Sequence, residues 1–277
     1  MKTLTKALLL ATLLLPSTAL AITYRSDVSD SKILDWGTKH QCVLRIQGKT
    51  CTTSFMCSGS CVVIDPHIVI TAAHVMDDMD GAYVIDNEGK HHDIEAAVVP
   101  DGWSINKYGI KDISVAYVKD PIKLEFYPGL YTEEDEVGKV CSIAGWGRHG
   151  TLQNGYGTVR HKEWKRRAGS NIVDKYDRDL LSISPTKKHS KADRLTTLEA
   201  IISPGDSGGG MFIDGKVAGI HSVLITDHHG MPLNGKYHCY SGSTRISKYH
   251  KWITSNADKL KNFYRLTEEV NKALGVK

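Results

Sequence analysis

After residue 21 the chain has no apolar run approaching the 20 or so residues that a helix needs to cross a bilayer, so no membrane span is expected in the processed protein. It also lacks a strong charge of either sign. Lys and Arg total 35 against 31 Asp and Glu, a formal net charge of +4 over 277 residues. The one dense basic run, His161 to Arg167, reads as a solvated loop, and nucleic acid is not expected as a partner. No internal repeat is visible. Apolar residues make up 41% and charged residues 24%, which is ordinary globular composition and excludes a disordered chain. The length suits one large domain or two small lobes.

Metal-site patterns are missing as well. There are 13 histidines, including the pair His228-His229, but none shows ligand spacing with carboxylate support. "CSGSC" (Cys57 to Cys61) has no second ligand pair to complete a zinc site. Neither a metal nor a cofactor is expected.

The N-terminus carries an export signal: Lys2 and Lys6, then the apolar stretch Ala7 to Leu15, then the small-x-small site Ala19 to Ala21. The mature protein is expected to be soluble, in an extracellular or periplasmic space. In such a compartment Cys42, Cys51, Cys57, Cys61, Cys141 and Cys239 read as disulfide cysteines, with at least one bridge closing a short hairpin between Cys42 and Cys61.

From residue 33 the dominant pattern is short β-branched runs between turn residues, such as "CVLRI", "HIVITAA", "ISVAYV" and "VCSIAGW". This predicts an all-β body of antiparallel strands. Asp214-Gly215 marks a hairpin. The segment Lys119 to Lys139, with two prolines and an acidic cluster, reads as the connection between two lobes, 33–125 and 126–255. Leu260, Phe263, Leu266, Val270 and Leu274 recur at helical spacing, so 256–277 is expected to be an amphipathic helix joined near Ser255-Asn256 to a helical piece containing "KYHKWI".

Ser207 sits in "SPGDSGGGMF" (Ser203 to Phe212), and an unassisted serine hydroxyl is a poor nucleophile. "GDSGG" also fits the nucleophile elbow of α/β-hydrolases, but that fold needs alternating helices, and few helical periods precede Ser207. The alternative requires an upstream base and acid. "VITAAH" (Val69 to His74) ends an apolar strand in a histidine, and "KDISVAYV" places Asp112 at the head of another. The order is His74, Asp112, Ser207. Together with "CSIAGWG" (Cys141 to Gly147), "GIHS" (Gly219 to Ser222) and "TRISKYHKWI" (Thr244 to Ile253), these motifs make the chain resemble the trypsin/chymotrypsin-type serine proteases over about Ile33 to Ser255.

That resemblance implies two six-stranded antiparallel β-barrels with C-terminal helices, and a secreted endopeptidase acting on protein or peptide substrates through an acyl-enzyme. By resemblance His74 is the general base, Asp112 orients it, Ser207 attacks, and the N–H groups of Gly205 and Ser207 form the oxyanion hole. Ser222 would support Asp112. Asp206 would pair with a newly freed apolar N-terminus. Two cut sites present themselves: Lys32-Ile33, which would make 22–32 a propeptide, and Ala21-Ile22, directly at signal removal. The basic residue before Ile33 favours the first, although "DWG" stands where the family keeps a glycine pair. The floor of the specificity pocket falls on Ile201, with walls from Val223, Leu224 and Ser241. An isoleucine floor disfavours Lys and Arg and suits small or medium apolar side chains. Two departures bear on the cysteines: Val75 follows the histidine, and Ile213 stands where Cys141 would find a partner. A rival reading keeps the fold as a binding or adhesion module without catalysis.

Overall fold

The computed structural model describes residues 22–50, 56–77, 79–107, 109–157, 164–186, 196–226 and 231–276. The expected export signal, Cys51, His228-His229 and the first part of the basic run lie outside them.

The chain opens with β1 (Ile22–Tyr24) and α1 (Asp30–Thr38). The first lobe then contains β2 (Val43–Thr50), β3 (Met56–Asp65), β4 (Ile68–Thr71), α2 (Ala73–Asp77), β5 (Met79–Ile85), β6 (His91–Val98) and β7 (Ser114–Val118). Its strands close into a barrel in the order β2-β3-β4-β7-β6-β5. Val62, Val69, Ile70, Val84 and Val115 are fully buried in the core on the two faces of these strands, the packing that β-branched side chains give on a pleated surface.

The second lobe contains β8 (Val140–Gly145), β9 (His149–Thr151), β10 (Gly155–Tyr156), β11 (Arg167–Ile172), β12 (Lys175–Asp177), β13 (Leu180–Ile183), β14 (Ala200–Ile201), β15 (Gly210–Ile213), β16 (Lys216–Thr226) and β17 (Cys239–Arg245), followed by α3 (Ile246–Leu274). Seven strands run in the order β11-β8-β15-β16-β17-β13-β12, and a four-stranded sheet runs β10-β9-β1-β14. The architecture is the all-β double barrel that the motifs imply. Strand for strand, the second lobe departs from a simple set of six because it takes in β1 from the far N-terminus.

Residues 22–32 are thus part of the body. Thr23 pairs antiparallel with Ile201, and Ile22 lies parallel to His149. Ile33 sits inside α1, wholly buried, with its own N–H bonded back to Ser29 O at 3.5 Å. Asp30 anchors this segment through Arg167, whose Nε and Nη2 each lie 2.9 Å from a carboxylate oxygen. Arg167 has no exposure, and the bidentate geometry offsets the cost of burying its charge.

Two other expectations change. Helix α3 is continuous through Ser255-Asn256: Asn256 Nδ2 donates to Trp252 O at 2.8 Å, so its side chain bonds the helix backbone instead of ending it. The helix stops at Gly275, whose φ of 68° is the left-handed cap that glycine accepts without strain. Ile253 and Ala257 are buried in the first-lobe core, and Tyr264 stacks on Tyr117 with ring centroids 4.1 Å apart. Among the described cysteines none is bonded to another. Their strand neighbours are not cysteines: Cys61 faces Leu44 and Cys57 faces Gly48. Cys141 on β8 and Cys239 on β17 are separated by β15 and β16. Burial pushes the Cys141 thiol up to about 12, so it stays protonated and packs as an apolar group.

The connection between the lobes is pinned by Glu136. Its carboxylate accepts from Arg245 Nε (2.9 Å), Arg245 Nη2 (2.7 Å) and Ser247 Oγ (2.7 Å), with no exposure at Glu136. Burial alone would raise the Glu136 carboxyl, but the guanidinium and hydroxyl donors outweigh it and hold it below its ordinary value. Truncation at Glu136→Ala strands a buried arginine, and urea unfolding is expected to show a loss of about 3–5 kcal/mol. The wild-type contribution fades as pH falls through the lowered carboxyl value, because protonation removes the charge that Arg245 needs.

Candidate active site

His74 lies in the short helix α2 that follows β4, and Asp112 immediately precedes the strand run leading to β7. Antiparallel pairing of β4 with β7, with Thr71 opposite Ser114, brings these two strand ends together. His74 Nδ1 lies 2.7 Å from Asp112 Oδ2, and the His74 backbone N–H donates to Oδ1 at 2.9 Å. Ser222 Oγ donates to Oδ2 at 2.5 Å, and Thr244 Oγ1 donates to the Asp112 carbonyl at 2.7 Å. Asp112 is buried. Burial pushes its carboxyl up, but the His74 hydrogen bond and charge, with Ser222, hold it below the ordinary range. It is therefore an anion near neutral pH, placed to fix the imidazole tautomer.

Ser207 reaches the same cleft from the second lobe. Among the described residues no direct hydrogen bond joins its hydroxyl to His74, a contact that commonly tightens only when substrate binds. The turn around it is registered by main-chain bonds: Gly208 N donates to His221 O and Ser60 N donates to Ser207 O, both at 2.8 Å. His221 itself is buried and held neutral, since burial drives its imidazole down to about 3.

The two amides expected to bind an oxyanion are oriented by their neighbours. Pro204 O accepts from Arg148 N at 2.7 Å, and Asp206 O accepts from Gly209 N at 2.8 Å. Both peptides are trans, so the N–H of each points opposite to its carbonyl. Pinning the carbonyls away leaves Gly205 N–H and Ser207 N–H on the other side, with no acceptor among the described residues. Gly205 has φ of 94°, which a side chain would resist.

Asp206, between these amides, has no exposure. Oδ1 accepts from Gly147 N at 2.8 Å; Oδ2 accepts from Ser203 N at 2.8 Å, Ser203 Oγ at 3.1 Å and Ile22 N at 3.2 Å. A Cβ at Gly145 would fall 2.3 Å from Asp206 Oδ1, and one at Gly147 would fall 2.4 Å from Asp206 N. The two glycines of "GWG" therefore let this carboxylate approach. Burial raises the Asp206 carboxyl to about 6 despite its hydrogen bonds.

The partner of Asp206 is thus Ile22, and Ile33 is too firmly held in α1 to reach it. The pocket residues also need correction. Val223 and Leu224 line the cleft beside Ser207, but Ile201 and Ser241 are wholly buried. Ile201 packs in the second-lobe core, and Ser241 Oγ accepts from Ile202 N at 2.9 Å. Ile202 lines the cleft instead, with Leu233 and Tyr156. The cleft holds about 340 Å³, and Trp103, Ile105 and Lys107 also line it. Val75 packs where the family's post-histidine cysteine would stand, 3.1 Å from the Cβ position of Gly59.

A profile of the trypsin family matches residues 31–253. The chain belongs to the trypsin family. Relatives include mouse (Mus musculus) kallikrein 1-related peptidase b3, 23% identical over 73% of this chain and 80% of its own length. Horse (Equus caballus) kallikrein-1E2 is also 23% identical, over 74% of this chain and 81% of its own length. Among solved structures the double barrel is similar to HL collagenase, with TM-score 0.59 and 16% identity over 79% of this chain and 94% of that one. Neuropsin, a serine protease expressed in the limbic system of mouse brain, gives 0.58 and 15% over 79% and 95%. A scabies mite inactivated protease paralogue, S-I1, gives 0.58 and 14% over 79% and 96%. As in other trypsin-family chains, both lobes contribute to one cleft.

Two substitutions probe this geometry. Ser222→Ala removes a hydrogen bond to a charged carboxylate, worth about 1.5–3 kcal/mol, and is expected to lower kcat about tenfold or more with KM nearly unchanged. Gly208→Ala would place a Cβ 2.0 Å from Thr71 Oγ1 and 2.1 Å from Ser60 O at φ of 83°. It is expected to displace the Ser207 turn and abolish esterase activity measured on a small ester substrate.

Proposed function

We propose that the protein is an exported serine endopeptidase that hydrolyses peptide bonds through an acyl-enzyme. The observation that carries this reading is the hydrogen-bonded Asp112–His74 pair at 2.7 Å on the same cleft as Ser207, beside two amides with no acceptor among the described residues. His74 takes the proton from Ser207 Oγ as the oxygen attacks the scissile carbonyl. Asp112 stabilises the imidazolium so formed, and Gly205 and Ser207 N–H groups receive the oxyanion. His74 then protonates the leaving amine, and water repeats the sequence on the acyl-enzyme to release the acid.

Substrate preference follows from the cleft walls. Ile202, Val223, Leu224 and Leu233 are apolar, and among the described lining residues the only carboxylate is Asp112, already committed to His74. A lysyl or arginyl side chain would lose its hydration without gaining a counter-ion. Leu224 lines the cleft that holds Ser207, and with these apolar walls small or medium apolar side chains are the proposed fit.

A fluorophosphonate probe is expected to label the wild-type protein and not Ser207→Ala, with kcat on peptide substrates falling by roughly 10⁶ in that variant. Absence of labelling in folded, mature wild type would leave a protease-fold binding module. In a peptide-library digest, alanyl or valyl sites should be cut in preference to lysyl ones, and Leu224→Gly should extend cleavage to larger side chains. Equal cleavage after Lys and Ala contradicts the proposed pocket.

A further inference from the structure

Four observations meet at Ile22. Its main-chain nitrogen lies 3.2 Å from Asp206 Oδ2, and the residue is 1% exposed. Asp206 is completely buried, yet every donor it has among the described residues is an uncharged N–H or O–H. An isolated buried carboxylate is costly until a cation joins it, and its upward shift to about 6 expresses the same deficit. The cation is missing, and the nitrogen best placed to supply it is an amide only while residue 21 is attached.

The third observation is conformational. Ile22 has φ of 67°, in the left-handed region, where a β-branched side chain is a genuine outlier. In general a positive φ crowds the side chain against its neighbouring carbonyl groups, the preceding one included. Severing the bond to residue 21 removes the preceding group and frees Ile22 from a fixed φ, which relieves that part of the strain. Fourth, the strand is docked by contacts that do not involve residue 21: β9 on one side, β14 on the other, and the Asp30–Arg167 pair eight residues downstream of Ile22. Tyr24 OH adds a bond to Asp30 at 3.1 Å. A cut at Lys32-Ile33 would instead discard β1, Asp30 and their pairing, and would have to unwind α1 to free Ile33.

We infer that hydrolysis of the Ala21–Ile22 bond by an export-linked signal peptidase is itself the activating step, so that the protein has no separate propeptide and becomes competent as it leaves the cytoplasm. One water is consumed. Ala21 keeps the carboxylate, and Ile22 becomes an α-amine that takes up the released proton, since such amines have pKa values of about 8. The ammonium replaces the amide beside Asp206 Oδ2 and supplies the absent charge. Asp206 lies between Gly205 and Ser207, so fixing its side chain fixes both oxyanion donors.

This inference rests on the serine-protease reading, and the test separates the two. Three folded chains are compared for rate of fluorophosphonate labelling: one released from a cleavable fusion with Ile22 as its first residue, one with Gly-Ser ahead of Ile22, and one beginning at Ile33. The first should label fastest. The Gly-Ser chain should label about 100-fold more slowly, the effect of losing an oxyanion donor, and the Ile33 chain should not label. Equal labelling of the first two, or faster labelling of the third, overturns the inference while leaving the protease reading intact. A second readout needs no activity: in the Ser207→Ala chain that begins at Ile22, the α-amine should resist acetylation by acetic anhydride, and Asp206→Asn should expose it. If no chain labels but the amine is protected in this way, the protease reading fails and the buried ion pair stands. An unprotected amine overturns the inference whatever the labelling shows. N-terminal sequencing of the exported protein should begin at Ile22, and a start at Ile33 contradicts it.

Discussion

A carboxylate with no access to water organises the candidate active site of this molecule. Asp206 sits between the two amides that face the cleft, and its oxygens draw together three separate stretches of chain: Gly147 after β8, Ser203 before the turn, and Ile22 at the start of β1. Each contact fixes a different part of the loop in space. The arrangement is possible because Gly145 and Gly147 present no Cβ to obstruct it. Without this buried anchor, the turn from Pro204 to Gly209 would keep only its main-chain bonds and the Ser60 hydroxyl on Gly205 O.

The two lobes divide the labour. The first is a closed barrel whose strand pairing brings His74 and Asp112 together at neighbouring strand ends, independently of the second. The second supplies the turn, the two amides proposed to bind an oxyanion, and the apolar wall. Side chains and backbone groups then stitch one lobe to the other at the cleft. Ser222 and Thr244 both reach Asp112, Ser60 binds the carbonyls of Ser207 through its amide and Gly205 through its hydroxyl, and Trp146 Nε1 donates to Val43 O at 2.9 Å. These bonds cross between elements far apart in sequence, so the relative position of His74 and Ser207 follows from the folding of both lobes.

What the sequence reveals is what local chemistry can encode. The β-branched runs specify strands, and "TAAH", "DIS", "GWG" and "GDSGG" each carry a residue type that its position requires. The errors have a common origin in pairing between distant segments. Lys32-Ile33 looks like a cut site because a basic residue precedes Ile-Leu, but Ile33 and Gly37 are the buried face of α1. Ile201 looked like a pocket floor by its distance from Ser207, yet its strand pairs with β1 and turns the side chain into the core. The cysteines suggest bridges by compartment, while strand register sets Leu44, Gly48, Asn171 and Thr226 opposite Cys61, Cys57, Cys141 and Cys239. Nothing in the residues near Ile22 announces that its nitrogen meets Asp206. Only the small-x-small run before it points to that bond as a proposed cut site.

The most direct test is a crystal structure of the mature chain carrying a phosphonate on Ser207. The account predicts the phosphoryl oxygen within roughly 2.7–3.1 Å of both Gly205 N and Ser207 N, the spacing of a working oxyanion hole, with the Ile22 ammonium against Asp206. A phosphoryl oxygen bound by neither amide, or an Ile22 nitrogen out in solvent while the adduct forms, would contradict it.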